Sequence, residues 1–309
     1  MEQRILGFLN NNFPISFTKV EPVTNEMYRC FGDQGNYFAR ITNYRTYEEQ
    51  LEEVNWTNFL YKNGMDVSPT ISSIDGHSVE KMTPEDKLVV LYRAAPGRHL
   101  SNAEWDALIL KKLGRQIGKM HRLTKEYEKI RPFTHVSDWY KQEEYRFDKY
   151  IPQQESTIKE FAQEVISKIK EIPADKSAYG VIHGDVWLEN TVVDKHHTIT
   201  FIDFQDCEKH FLIYDLVVPL YSALRYTFIG KGNIRDYKKA ILEALVEGYM
   251  EEYHISNEML EKLPLFLLLK EVFEYNLMHM YWNQDKLSED QVRLMNFYRM
   301  NLEYNHSII

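Results

Sequence analysis

Three oxygen-bearing side chains in one stretch of this chain have the type and spacing to do chemistry together. Asp185 and Asn190 open and close His183-Gly184-Asp185-Val186-Trp187-Leu188-Glu189-Asn190, and Asp203 follows in Ile202-Asp203-Phe204. Phosphoryl transfer asks little covalent help of a protein; it needs a group to accept the proton of an attacking hydroxyl and oxygen ligands that hold Mg2+ against phosphates. A carboxylate, an amide and a second carboxylate suit those tasks. Mg2+ takes hard oxygen donors and keeps several waters, so one amide and one carboxylate suffice beside phosphate oxygens.

These residues need elements to position them. Val181-Ile182 reads as a short apolar strand before the loop, and Asn190–Asp194 with Thr198–Phe204 reads as a hairpin around a Lys195-His196-His197 turn. The hairpin returns Asp203 to the edge where Asn190 leaves. Upstream, residues 26–30, 37–41 and 87–92 carry strand-forming side chains, with Gly32 and Gly35 turning between the first two. One helix interrupts them, over residues 47–63, with Thr46 and Glu49 as a capping box and Gly64 as its stop. Tyr47, Leu51 and Val54 share its apolar face, and the charged face opposite is expected to be wet. After a linker at Ala94-Ala95-Pro96-Gly97 the pattern turns helical. Ser101 and Glu104 make a second capping box, Trp105, Ile109, Leu113, Ile117 and Met120 recur at helical spacing, and Gly114 and Gly118 permit close packing. Long helices fill residues 234–304, the last opened by Ser288 and Gln291. The reading is an α+β chain in two parts, residues 1–94 and 95–309.

Composition narrows the function. With 309 residues and 44% hydrophobic content the chain can bury about three quarters of its surface. No apolar run reaches the roughly 18 residues of a membrane span. Residues 1–13 lack a basic cluster ahead of an apolar core and a small-residue cleavage site, and Cys30 and Cys207 have no metal-site spacing, so a cytoplasmic protein with ordinary thiols is expected. A net charge of -9 argues against nucleic-acid partners.

The motif H-G-D-x-x-x-x-N at His183–Asn190, followed by I-D-F at Ile202–Phe204, resembles that of the aminoglycoside phosphotransferase and choline kinase group, small-molecule kinases with a protein-kinase-like fold. The resemblance implies a bilobal α+β fold, with a small β-rich nucleotide-binding lobe over residues 1–94 and a larger, mostly helical catalytic and substrate-binding lobe over 95–309. It implies ATP and Mg2+, with Asp185 as catalytic base, Asn190 and Asp203 as metal ligands, and Asp215 supporting the loop. His183 is itself read as bracing the loop through a hydrogen bond, with a direct catalytic part in proton transfer as the alternative. Arg40 and Glu53 match the ion pair that holds the α and β phosphates, with Arg where the family carries Lys; Glu52 is the alternative partner. A planar, permanently charged guanidinium grips phosphate and carboxylate alike. Adenine is expected to meet backbone near Tyr92, Arg93 and Ala94. No Gly-rich loop precedes Tyr28, and Thr24 and Asn25 offer either phosphate contacts or a plain turn. For the acceptor, a small alcohol of aminoglycoside-, amino-alcohol- or homoserine-like kind, Asp206, Glu271 and Glu274, with Asp138, Glu143, Glu144 and Glu208, are candidates to meet an amine, and Trp139, Tyr214 or Trp282 to offer a ring. The alternative is a kinase-fold module kept for binding; Gly184 in place of an arginine disfavours a protein kinase.

Overall fold

Ile5 and Leu9, one helical turn apart, are both fully buried, and they place a helix, α1 (Glu2–Asn12), in a stretch for which no helix was expected. Phe13 and Pro14 end it. The computed structural model describes residues 1–227 and 233–304. These divide into two units, one of Met1–Leu100, Arg122–Val136 and Glu189–Cys207, the other of Ser101–His121, Ser137–Leu188 and Glu208–Ile309.

In the first unit α1 is followed by β1 (Phe17–Pro22), β2 (Met27–Gly32), β3 (Gly35–Thr42), α2 (Tyr47–Lys62), β4 (Thr70–Ile71), β5 (Glu80–Met82) and β6 (Lys87–Arg93). The strands form an antiparallel sheet in the order β1-β2-β3-β6-β4, with β5 also on β6. Tyr37, Ala39 and Ile41 alternate along β3 and face the core with Ile5, Leu9 and Phe13, the period of two expected of a strand covered on one face. Arg40 therefore points to the other face, opposite Met27 of β2 and Val90 of β6. α2 begins on the expected capping box, Glu49 N–H donating to Thr46 Oγ1 and Thr46 N–H to Glu49 Oε2. Its charged side is not wet: Gln50, Glu52 and Glu53 are all buried. Periodicity marked the apolar stripe but was blind to carboxylates that find partners inside.

The second unit is mainly helical. α3 (Ala107–Ile130) runs through both units and starts later than its sequence suggested. The Ser101–Glu104 box caps a separate 3-10 turn, and Asp106 Oδ1 then accepts from Ile109 N–H at 2.9 Å to open α3. Ile109, Leu113, Ile117 and Met120 are buried as their spacing requires. Next come α4 (Phe147–Tyr150), α5 (Ser156–Lys170), β7 (Tyr179–Ile182), then, in the first unit, the hairpin β8 (Thr191–Val193) and β9 (Ile199–Phe201). Returning to the second unit, β10 (Glu208–Phe211) pairs antiparallel with β7, and α6 (Tyr214–Ser222), α7 (Ile234–Met250), α8 (Asn257–Glu261), α9 (Leu263–Tyr281) and α10 (Glu289–Glu303) complete it. A Cβ on Gly114 would fall 2.0 Å from the carbonyl oxygen of Leu245, so only glycine allows α3 this close to α7. Ser288 and Gln291 cap α10 as expected. Among the described residues no helix is long and apolar enough to cross a membrane. Cys30 and Cys207 are free and buried, and burial pushes the Cys30 thiol up to about 12.

Candidate active site

In the first unit the chemistry gathers around Arg40, whose position in mid-strand, between β2 and β6, fixes its backbone on both sides. Only 2% exposed, it places Nη2 2.6 and 2.8 Å from the two oxygens of Glu53 and Nη1 3.4 Å from Asp203 Oδ1. Gln50 Nε2 donates to Glu53 from one turn earlier on α2, at 2.7 Å. Burial alone would pull the guanidinium's pKa down, but the Glu53 carboxylate, with Tyr92 and Asp203, more than offsets it, and Arg40 stays charged. Its Nε–H is buried without a hydrogen-bond partner among the described residues. A charged fork with an unspent donor is poised for an anion.

Glu52 has a different task. Its two oxygens accept from the backbone N–H groups of Thr134, His135 and Val136 and from the Thr134 hydroxyl, at 2.7 to 3.1 Å. Burial would raise its pKa, yet these donors hold it below the usual carboxylate range. Of the two glutamates, Glu53 is the one on Arg40.

Asn190 and Asp203 are brought side by side by the hairpin. Ile202 N–H donates to the Asn190 carbonyl at 3.1 Å, one residue before Asp203. The paired strands are shorter at both ends than expected; at the turn, Asp194 Oδ1 takes the N–H groups of His196 and Thr198 and tightens it, with His197 at φ 59°. Asp203 itself has φ 59°, a left-handed conformation that a non-glycine residue adopts at a cost. Its side chain is 43% exposed. Arg45 Nε and Nη2 both donate to the Gln205 carbonyl, pinning the segment after Asp203 to the start of α2. Thr24 Oγ1 accepts from Glu26 and Met27 N–H groups, closing the β1–β2 turn. At the end of β6, Arg93 N–H donates to Pro69 and Ala94 N–H to Asn36, while the Tyr92 ring lies 5.4 Å from the Arg40 guanidinium.

In the second unit, β7 delivers the chain into His183-Gly184-Asp185. Asp215, fully buried at the first turn of α6, accepts from His183 N–H at 3.0 Å and Gly184 N–H at 2.9 Å, one on each oxygen. His121 Nε2 lies 3.0 Å from the same carboxylate, and its Nδ1 2.9 Å from the Tyr249 hydroxyl. Gly184 has φ +83°, which lets the loop turn onto Asp215. Asp185 N–H reaches His183 Nδ1 at 3.4 Å, so the fully buried His183 supports the loop from within. A carboxylate holding two backbone amides fixes the conformation of the turn that carries Asp185.

A family model described as the phosphotransferase enzyme family matches residues 19–262. This chain belongs to that family. Within it, the chain is 26% identical over 284 residues to the amicoumacin kinase of Bacillus subtilis (strain 168), covering 90% of this chain and 84% of that one. A solved amicoumacin kinase in complex with AMP-PNP, Ca2+ and Ami is also 26% identical, with a TM-score of 0.90 over 99% of this chain and 94% of that one. The microcompartment-associated aminopropanol kinase, 18% identical, aligns with a TM-score of 0.74 over 98% of each chain and shows the fold alone. The α+β, protein-kinase-like fold read from the motifs is the one adopted, and this phosphotransferase is a small-molecule kinase with an alcohol acceptor.

The residues expected to meet the phosphotransferase's acceptor are less free than expected. Glu271 is buried in an ion pair with Arg225 and also accepts from Asn301; Glu274 pairs with Lys270 at 2.7 Å. Glu208 accepts from the Tyr145 hydroxyl, Asp138 from Lys141 and Tyr179, Glu143 from Lys149 and Tyr150, and Glu144 from Tyr281. Trp139 and Tyr214 are buried and stack on either side of His210, 4.7 and 4.4 Å between ring centres. Trp282 is half-buried and Asp206 exposed. Sequence reasoning overlooked Gln50, Arg45, His121 and Lys270. Two of these left a trace: His121 continues the Ile117 stripe one turn on, and Lys270 interrupts the apolar run 263–269 at its end, and a polar group in an apolar face calls for a partner.

Proposed function

We propose that this protein transfers the γ-phosphoryl group of ATP, with Mg2+, to a hydroxyl of a small molecule. The observation that carries the reading is the Arg40 guanidinium, buried, charged, divided between Glu53 and Asp203, and with its Nε–H unspent. That is a phosphate-binding cation held in place before its ligand arrives. The relative solved with AMP-PNP and Ca2+ supports a nucleotide and a divalent cation.

The residues present fit the cation. Asn190, just before β8, and the half-exposed Asp203, just after β9, would supply an amide and a carboxylate oxygen, a hard donor set that phosphate oxygens and waters would complete. Once bound, Mg2+ would neutralise charge on the phosphates. Arg40 grips phosphate oxygens, and Tyr92 and Ala94 border the adenine. Thr24 closes a turn with its lone pairs, which leaves its O–H to donate to a phosphate oxygen. Asp185, steadied by His183 and by Asp215, accepts the proton of the acceptor hydroxyl while that oxygen forms its bond to the γ-phosphorus. The bond from phosphorus to the β-phosphate oxygen breaks, and ADP leaves with the electron pair. In this reading residues 1–94 serve the nucleotide and residues 95–309 carry the base and the acceptor site, and the protein works in the cytoplasm. The acceptor is a hydroxylated, amine-bearing small molecule, for which the likeness to amicoumacin kinase across nearly the whole chain is the support.

The test is ADP release with Mg-ATP over a panel of amicoumacin A, aminoglycosides, 1-amino-2-propanol, choline and homoserine. At least one acceptor should give stoichiometric phosphorylated product that Asp185→Asn fails to make. Silence across the panel, with no magnesium-dependent ATP binding by calorimetry, would sink the reading.

A further inference from the structure

Lys270 is a buried cation that the mechanism does not use. It sits in the buried middle of α9, 4% exposed, where lysine is rare unless paired. Its ammonium lies 2.7 Å from Glu274, one helical turn on, and 4.9 Å from the Phe273 ring centre. Among the described residues it has no other hydrogen-bond or ion-pair partner, so a three-donor group is left mostly unspent. α9 packs on α6, whose first residues are Tyr214 and Asp215, the latter holding the two amides just before Asp185. Burial pulls the Lys270 pKa down, but Glu274, Tyr214 and Asp185 act on it from around and raise it, so it is charged at neutral pH.

A positive charge this deep, within electrostatic reach of the base, has two effects on an incoming alcohol. It attracts an oxygen lone pair next to the reacting hydroxyl, and it repels an ammonium in the same place. Glu274, already engaged by Lys270, does not offset the second effect. We propose that Lys270 is a specificity-determining residue of the acceptor site, donating to a carbonyl or hydroxyl oxygen beside the reacting carbinol. The enzyme thereby selects oxygen-flanked alcohols over simple amino alcohols. The inference rests on the kinase reading above, with Asp185 as base.

Two acceptors of matched length test it: 3-amino-2-hydroxypropanamide, with a carbonyl beside the carbinol, and 1-amino-2-propanol, without one. The wild-type enzyme should prefer the hydroxyamide in kcat/KM. Lys270→Met should lower kcat/KM for the hydroxyamide by about 10- to 100-fold, mainly through KM, and change that for 1-amino-2-propanol by about threefold or less. Affinity for AMP-PNP should stay unchanged. Glu274→Gln, which keeps the ammonium but frees it from its anchor, should lower hydroxyamide selectivity in the same direction by a smaller factor, and it serves if the methionine variant does not fold. Equal losses on both acceptors, or a wild-type preference for 1-amino-2-propanol, overturn the assignment while leaving the kinase intact. No Asp185-dependent ADP release with either acceptor overturns the assignment, whereas the kinase reading falls only if the wider panel is silent and magnesium-dependent ATP binding is absent as well.

Discussion

Asp203 and Asp215 are the same residue type on neighbouring segments, yet one is 43% exposed and the other wholly buried. Around Asp203, charge is left over: Arg40 has an unpartnered Nε–H and the carboxylate faces outward. Around Asp215 the carboxylate accepts two backbone amides and meets His121, and acts on the protein alone. The difference teaches how to sort ionisable groups by role: a group with spare capacity is set up for a ligand, whereas a saturated one shapes the backbone. Glu53 and Glu52 repeat the lesson on adjacent residues of α2, the first holding a cation, the second holding the backbone of residues 134–136.

The largest expected effect breaks the chemistry and nothing else. Asp185→Asn should reduce phosphoryl transfer by about a thousandfold or more while leaving the urea midpoint and nucleotide affinity in place, as read by ADP release and calorimetry. At Asp215 the balance is reversed. Asp215→Ala should destabilise the protein by about 3–5 kcal/mol in urea titration, since His183 and Gly184 amides and His121 lose their acceptor. If stability holds while activity falls, the saturated carboxylate is not a backbone support.

The two glutamates sharpen the contrast. Glu53→Gln should raise the KM for ATP with a small effect on stability, whereas Glu52→Gln should cost about 2–3 kcal/mol at pH 7 with ATP binding unchanged. Because Glu52 titrates below the usual carboxylate range, its contribution is full above the unfolded value of about 4.3 and vanishes as pH falls through the lower folded value. The stability gap between Glu52→Gln and wild type should therefore close in strong acid.

The smallest effect concerns His210, stacked between Trp139 and Tyr214, where burial holds its pKa well below the ordinary histidine value. The unfolded chain binds a proton there first. Stability should thus fall by about 1.4 kcal/mol per pH unit below about 6.5, and His210→Gln should flatten that slope in thermal melts. An unchanged slope would show that the ring is protonated in the folded state.

Much of this was legible in the residues. The H-G-D-x-x-x-x-N loop, the returning hairpin and the capping boxes are local patterns, and local patterns survive folding because turn and cap chemistry acts within a few residues. What stayed hidden needed a partner distant in sequence. No spacing says that Glu52 will meet residues 134–136, that Gln50 will lean on Glu53, or that His121 will find Asp215. The first helix was missed for a different reason: Asn10, Asn11 and Asn12 are poor helix formers, and burial of Ile5 and Leu9 against the sheet overrides them.

Gly97, with φ +112°, leaves room for nothing: a Cβ there would fall 2.2 Å from the Val193 carbonyl oxygen. Next to it, Arg98 and Val193 exchange both backbone bonds, and His99 Nδ1 lies 3.0 Å from the Thr191 carbonyl. The segment after β6 therefore runs, without a slack joint, into the hairpin that carries Asn190 and Asp203 at its ends. A single methyl group at position 97 would wedge that hairpin away, and its mark should be read far off, as a weaker hold on the cation that Asn190 and Asp203 are proposed to bind.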